Sequence, residues 1–210
     1  MTSLPFARLN LRWNPFGEPA LEEHQALFVG GLEDWPSFLR PEPARNGGGA
    51  LRALQLLGPS GCGKTTSLRS LKEFFPDATL VAWCPVHGWP ELPATQASVL
   101  LVDDAHMAGG ALLRRFRGYR ALALATQKDL AGSFRVSGFE TRTVRMPERV
   151  GIGRLEEMVQ RRLEWARRVT GPLPGVGTST LQELLDLHGP DLKAIQADLY
   201  DRYQQLEDEA

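Results

Sequence analysis

A three-layer α/β sandwich, built on a mostly parallel five-stranded sheet and followed by a small helical lid, is the fold this sequence predicts. Three observations predict it. Residues 58–66 read GPSGCGKTT between an apolar run and a helical pattern. A second apolar run, Ser98 to Val102, ends in the acid pair Asp103 and Asp104. The C-terminal part, from Arg154 onward, carries apolar stripes at helical spacing with no strand alternation.

The first observation is the phosphate-binding loop pattern, a glycine, four residues, then Gly63, Lys64 and Thr65, so the sandwich is expected to be that of P-loop NTPases. Ala53 to Leu57 before it reads as a buried strand. Thr66 to Phe75 after it reads as a helix with Leu68, Leu71, Phe74 and Phe75 apolar, ended by Pro76. Gly58, Gly61 and Gly63 free the backbone to turn successive N–H groups inward, so the segment Gly58, Pro59, Ser60, Gly61, Cys62, Gly63, Lys64, Thr65 and Thr66 is the expected nucleotide-binding loop. Lys64 would reach the outer phosphates, and the Thr65 hydroxyl would ligate magnesium. A plain glycine-rich turn before a surface helix would not need Lys and Thr directly after the last glycine.

At the end of the second strand Asp103 is expected to hold magnesium, and Asp104 to orient or deprotonate an attacking water. Paired acids after a strand also serve as a helix N-cap. Their position about 38 residues downstream of a full phosphate loop favours catalysis. Thr79 to Trp83 predicts a strand between the two motifs, the arrangement that marks the additional-strand class of NTPases.

The remaining elements follow in order. Residues 1–20, with Pro5, Asn14-Pro15-Phe16-Gly17 and Pro19, read as extended or turned, placed to close over the base of a nucleotide. PEPARNGGG at 41–49 reads as an exposed loop. Ala111 to Phe116 can form a helix, and Ala121 to Ala125 a small-residue strand ending in Thr126 and Gln127. Arg142 to Met146 alternates and supplies a fifth strand. A helix over Arg154 to Val169 has Leu155, Met158, Val159, Leu163 and Ala166 on one face. A second begins near Thr178 or Ser179, with Leu181, Leu184, Leu185 and Leu187 inward and Gly189 at its end. A third opens with Pro190 and carries Leu192, Ile195, Leu199, Tyr203 and Leu206. Residues 1–50 are thus an N-terminal extension and loop, 51–150 the core and 151–210 the lid.

With 42% hydrophobic and 23% charged residues, 210 residues suit one such core with an appendage. Met1 to Asn10 lacks the apolar stretch of a signal peptide, and no segment approaches the ~18 apolar residues of a membrane span, so a cytoplasmic protein is expected. Cys62 and Cys84 form no metal-binding spacing and no disulfide framework. The net charge of −1 conceals blocks: residues 112–170 sum to +8, between −3 before and −6 after. The basic block suits nucleotide, nucleic acid or an acidic partner, and equally a solvated arginine-rich helix face.

The ordered motifs GPSGCGKTT, LLVDDAH, ALATQ and HGPDLKAI resemble those of the AAA+ ATPases over roughly residues 50 to 205. The resemblance implies ATP and Mg2+ as ligands, a polar sensor at Thr126 or Gln127, and a basic lid residue at Lys193 contacting the outer phosphate. Here lysine stands where arginine is usual, without the planar fork. The Asp-Asp pair is similar to that of replication initiators and helicase loaders, while DDAH with the upstream Asn-Pro-Phe resembles transposition and secretion ATPases. The proline-bearing link from Pro85 to Ala97 leaves little room for the initiators' helical insertion. The family also implies a homo-oligomer in which a neighbour's arginine completes each site. Arg114, Arg115, Arg117, Arg120, Arg135, Arg142 and Arg149 are available, and Arg135 is favoured because it follows the sensor strand.

Three functions fit. One is an ATPase driving conformational change in a partner or assembly. Another is a nucleotide-gated DNA-binding module, in which the arginines of RRFRGYR, 114–120, neutralise phosphates while Phe116 and Tyr119 stack on bases. The plainer account of that segment is a helix end with Phe116 buried. The third is a slowly hydrolysing switch for a protein partner.

Overall fold

The computed structural model describes residues 5–19, 23, 27, 29, 34–40, 50–92, 99–108, 115–116, 119–146 and 151–209. They form two compact units, one of residues 30–146 and one joining residues 1–29 to 147–210.

The unit of residues 30–146 holds a five-stranded sheet: β1 (Leu51–Leu57), β2 (Thr79–Ala82), β3 (Val99–Asp103), β4 (Ala121–Thr126) and β5 (Phe139–Arg145). Every neighbouring pair is parallel, in the order β2-β3-β4-β1-β5. The three inner strands are the ones with near-continuous apolar sequence, as burial on both faces requires. Alternate residues divide between two cores. Leu54, Leu56, Val99, Leu101, Ala121 and Ala123 pack with Leu39, Leu68 and Leu71 from helices α1 (Trp35–Leu39) and α2 (Lys64–Leu71). Ala53, Leu100, Val102, Leu122 and Leu124 pack on the other face with Phe116, Tyr119 and Phe134. Phe134 belongs to α3 (Ala131–Val136).

Several boundaries differ from the sequence expectation. β1 begins at Leu51 and β5 at Phe139, because the two strands pair with one another from Leu51 with Phe139 to Leu57 with Arg145, which carries the ladder through their charged residues. Helix α2 starts at Lys64, directly on the loop, and ends at Leu71, short of Phe75, leaving Phe74 beyond its end and exposed. Helix α3 had no sequence signal beyond Asp129, whose Oδ1 accepts the Ala131 N–H at 2.9 Å and so caps its first turn. Most of the helix expected over Ala111 to Phe116 lies outside the described residues.

The other unit packs three helices, α4 (Ile152–Ala166), α5 (Thr178–His188) and α6 (Leu192–Glu209), around Leu155, Val159, Leu163, Leu181, Ile195 and Tyr203. The apolar stripes read from sequence run too far at two ends: Leu187 and Leu206 are exposed. Helix α6 opens at Leu192, after Pro190, because the Asp191 carboxylate accepts the N–H groups of Lys193 and Ala194, both at 3.1 Å.

Phe6, Leu11 and Phe16 complete this helical core, so the N-terminal segment is an integral layer of the unit. Arg12 N–H donates to Ala166 O at 2.8 Å and Arg168 N–H to Asn10 O at 2.9 Å. Asn14-Pro15-Phe16-Gly17 is pinned by side chains. Arg162, buried to 7% exposure, donates to Pro15 O at 3.1 Å, Gly17 O at 3.0 Å and Gln196 Oε1 at 2.9 Å. Gln196 Nε2 donates to Phe16 O at 2.9 Å, and Asn14 Nδ2 to Tyr200 O at 2.8 Å. Burial brings the Arg162 guanidinium down to about 10, so it remains protonated at neutral pH, and its charge is dispersed over carbonyl dipoles.

Candidate functional site

In a parallel sheet, ligands bind beyond the carboxyl ends of the strands, where strand order reverses. Here β1 lies between β4 and β5, both later in sequence, and the glycine loop leaves its end. Leu57, the last residue of β1, pairs with Thr126, the last of β4, while Val102 on β3 pairs with Leu124. The loop, the sensor segment and the acid pair therefore emerge at one end of three adjacent strands.

The loop follows the chemistry of its residues. Gly58 is required by close approach: a Cβ there would lie 2.8 Å from Met146 Cβ and 2.9 Å from Cys62 Sγ. Gly61 and Gly63 have φ of 75° and 91°, and Gly63 is the N-cap of α2, so the chain reverses into the helix through the left-handed region. Cys62 is buried at the base of the loop. The Lys64 ammonium, 8% exposed for the residue, donates to Gly58 O at 2.9 Å and to Pro59 O, with Cys62 Sγ 3.8 Å away. It thus lies over the loop's own carbonyls, on the side chain that can deliver a positive charge to an anion gathered there. Thr65 and Thr66 sit half-buried in the first turn of α2. Pro59 and Ser60 are exposed. An Ala at Gly58 is expected to destabilise the protein by about 1–3 kcal/mol through overpacking, readable as a lower urea midpoint at unchanged m.

Asp103 is the last residue of β3 and half-buried, and its Oδ1 accepts the Asp104 N–H at 3.0 Å. Asp104 has φ 52° and ψ 37° and leads into a short 3-10 turn, Ala105–Met107, with no side-chain capping bond. The N-cap alternative therefore lacks the bond that defines it. His106 in that turn holds its Nδ1 buried without a hydrogen-bond partner among the described residues.

The two sensor candidates divide sharply. Thr126 is fully buried, and its hydroxyl donates to Lys128 O at 2.7 Å and accepts the Lys128 N–H at 3.1 Å. Gln127, next along, is exposed. Lys193 is exposed in the first turn of α6 and belongs to the helical unit. Arg135 is exposed in the last turn of α3, while Arg142 is engaged with Asp34 at 2.6 Å. Arg114, Arg117 and Arg149 lie outside the described residues. Phe116 and Tyr119 are buried in the sheet's second core, and burial raises the Tyr119 hydroxyl above its ordinary value, so neither ring offers a face to a base. Their expected stacking role is corrected on that ground.

Sequence reasoning passed over Gln55. It is fully buried on β1 and bonds both the segment after β4 and strand β5: Nε2 donates to Asp129 Oδ1 at 2.9 Å and to Thr143 Oγ1 on β5 at 3.1 Å, while Oε1 accepts the Leu130 N–H at 2.6 Å. These bonds, first that from Gln55 and then that from Ala131 N–H, hold the Asp129 carboxyl below its ordinary range, helped by the charges of Arg145 and Arg135. The signal was one polar residue inside the apolar run ALQLL, Ala53 to Leu57.

Among the described residues no group of three or more His, Cys, Asp or Glu comes together, and no helix is long and apolar enough to cross a membrane.

No family sequence model and no curated protein sequence matches the chain. Solved structures do. NtrX from Brucella abortus, crystallised with ADP, superposes with a TM-score of 0.54 at 15% identity over 90% of this chain and 55% of its own. Domain III of the Thermotoga maritima replication initiation protein DnaA gives 0.51 at 15% identity, covering 86% of this chain and 87% of that domain. A Thermotoga maritima RuvB mutant gives 0.51 at 13% identity, over 74% and 62%. The chain thus spans just over half the length of NtrX and under two thirds of RuvB. At such identities the likeness is one of fold. All three are AAA+ ATPases, and with the parallel order β2-β3-β4-β1-β5 the fold of this chain is AAA+-like, an α/β P-loop NTPase sandwich.

Proposed function

We propose that the chain binds ATP with Mg2+ and hydrolyses it to drive a conformational change in a partner or in its own assembly. The observation that carries this reading is the emergence, at the ends of the adjacent strands β1, β3 and β4, of a glycine loop with its lysine, an acid pair and an exposed glutamine. The loop amides and Lys64 hold the phosphates. Thr65 and Asp103 supply the protein oxygens for magnesium, which neutralises developing phosphate charge when bound. Asp104 takes the proton of the attacking water, and Gln127 orients that water as the sensor. A homo-oligomer, with Arg135 offered to a neighbour's site, belongs to the same reading.

Steady-state ATP hydrolysis with magnesium, measured over a range of protein concentrations, tests it. A specific rate that rises with concentration, together with a loss of about 100-fold or more in ATP affinity in Lys64→Ala, is the expected result. Wild-type protein that neither binds nor turns over ATP would sink it. DNA binding remains a reading carried only by exposed arginines such as Arg115 and Arg120, since the aromatic contribution is gone. Binding to DNA at low salt that weakens steeply with added salt would favour it.

A further inference from the structure

Gln55 is a polar residue where an apolar one would pack the sheet better. Its neighbours along β1, Leu54 and Leu56, and its register partner Leu124 are fully buried. Burying a primary amide costs stability unless its groups are bonded, and here both amide hydrogens and the carbonyl are. Two of the three bonds fasten the chain at Asp129 and Leu130 to the strand that launches the phosphate loop three residues later, and the third ties Gln55 to Thr143 on β5.

The same segment is fastened at its other end by Thr126, whose hydroxyl closes a turn on both the N–H and the carbonyl of Lys128. Between the two fastenings sits exposed Gln127. Just beyond them α3 begins, its first turn capped by Asp129 and its last turn carrying exposed Arg135. Asp129 Oδ1 is the shared acceptor for Gln55 and Ala131, so strand and helix meet at one oxygen.

We infer that Gln55 and Asp129 are positioning residues for the ATPase reaction, fixing Gln127 and α3 in register with the phosphate-binding loop on β1. The inference rests on the ATPase reading above. It makes the loop after β4 a rigid extension of β1, so that the sensor glutamine keeps a constant distance from the loop that grips the phosphates. Misplacement of a reacting or orienting group by about 1 Å costs on the order of 100-fold in rate, whereas binding through the loop amides is untouched.

Three variants separate positioning from simple structure. Gln55→Leu keeps the volume and leaves the Leu130 N–H without its acceptor. Asp129→Ala removes the shared oxygen through a substitution at the surface and leaves one buried Gln55 amide hydrogen unbonded, at a cost in stability, so its kinetics are read below its own melting transition. Asp129→Asn keeps that oxygen and removes only the charge. The first two should hold ATP affinity within about 3-fold while kcat falls about 10- to 100-fold, and Asp129→Asn should stay within about 3-fold of wild type in both. Amide hydrogen exchange at Leu130 and Ala131 should accelerate in the first two and not in the third. Wild-type exchange at those amides in Gln55→Leu would show that the network does not hold the loop and would overturn the inference. So would faster exchange with unchanged kcat, or equal losses in kcat and affinity. A wild-type protein without ATP turnover removes the reaction itself and the positioning role with it, an outcome distinct from active wild type with indifferent variants.

Discussion

Asp104→Asn should bind ATP as the wild type does and hydrolyse it about 10²–10⁴-fold more slowly, a rise of about 3–5 kcal/mol in the barrier. The substitution isolates chemistry from structure because of where Asp104 sits. Its φ of 52° and ψ of 37° place it in the left-handed region, which asparagine tolerates as readily as aspartate. The bond from its N–H to Asp103 Oδ1 is made by backbone and survives. Asparagine therefore keeps the turn and loses only the capacity to accept a proton. Alanine at the same position adds about 1–2 kcal/mol of backbone strain, so comparing the melting curves of the two variants separates strain from proton transfer. Turnover of Asp104→Asn at the wild-type rate would remove Asp104 from the mechanism.

Arg162→Met should destabilise the helical unit by about 2–4 kcal/mol. Methionine fills similar volume and lifts the desolvation cost that brings Arg162 down to about 10. It also leaves the Pro15 carbonyl and Gln196 Oε1 without their donor in a buried setting, whereas Gly17 O retains a long contact of 3.5 Å from Gln196. Removing one side of a buried polar set costs more than the set contributes net. Amide exchange in α4 and in the Asn10–Gly17 segment should accelerate together, by about 30- to 1,000-fold, if exchange proceeds by opening of the whole unit. Faster exchange in the N-terminal segment alone would mean that Arg162 fastens a strap and does not hold up a core.

The inner strands were legible because burial on both faces writes itself as short, uninterrupted apolar runs: LLV before the acids and ALALA before Thr126. The glycine loop was legible because its geometry demands particular residues at fixed spacing, and Gly58, Gly61 and Gly63 each meet a steric or conformational demand. Periodicity was less informative at helix ends. It placed Leu187 inward and Leu206 in its helix's apolar stripe, yet both are exposed. Short α3 escaped notice because six residues give under two turns of pattern. What the sequence could not disclose were bonds between distant positions. Arg162 meets Pro15 across 147 residues and Gln55 meets Asp129 across 74, and neither pairing leaves a local trace.

The glycines of the loop also differ in how their loss could be repaired. Gly63 has open space around its missing side chain and a φ of 91°, so the penalty for replacing it lies in its own backbone. No change elsewhere relieves that. Gly58 is constrained by two neighbours that substitution can remove, Cys62 Sγ by alanine and Met146 Cβ by glycine alone. A population drifting in sequence could therefore exchange bulk between positions 58, 62 and 146 as a linked set, one substitution rescuing another, while position 63 stays fixed on its own. Suppressor selection would read this difference directly: second-site revertants of Gly58→Ala as Cys62→Ala or Met146→Gly, and only true revertants at Gly63.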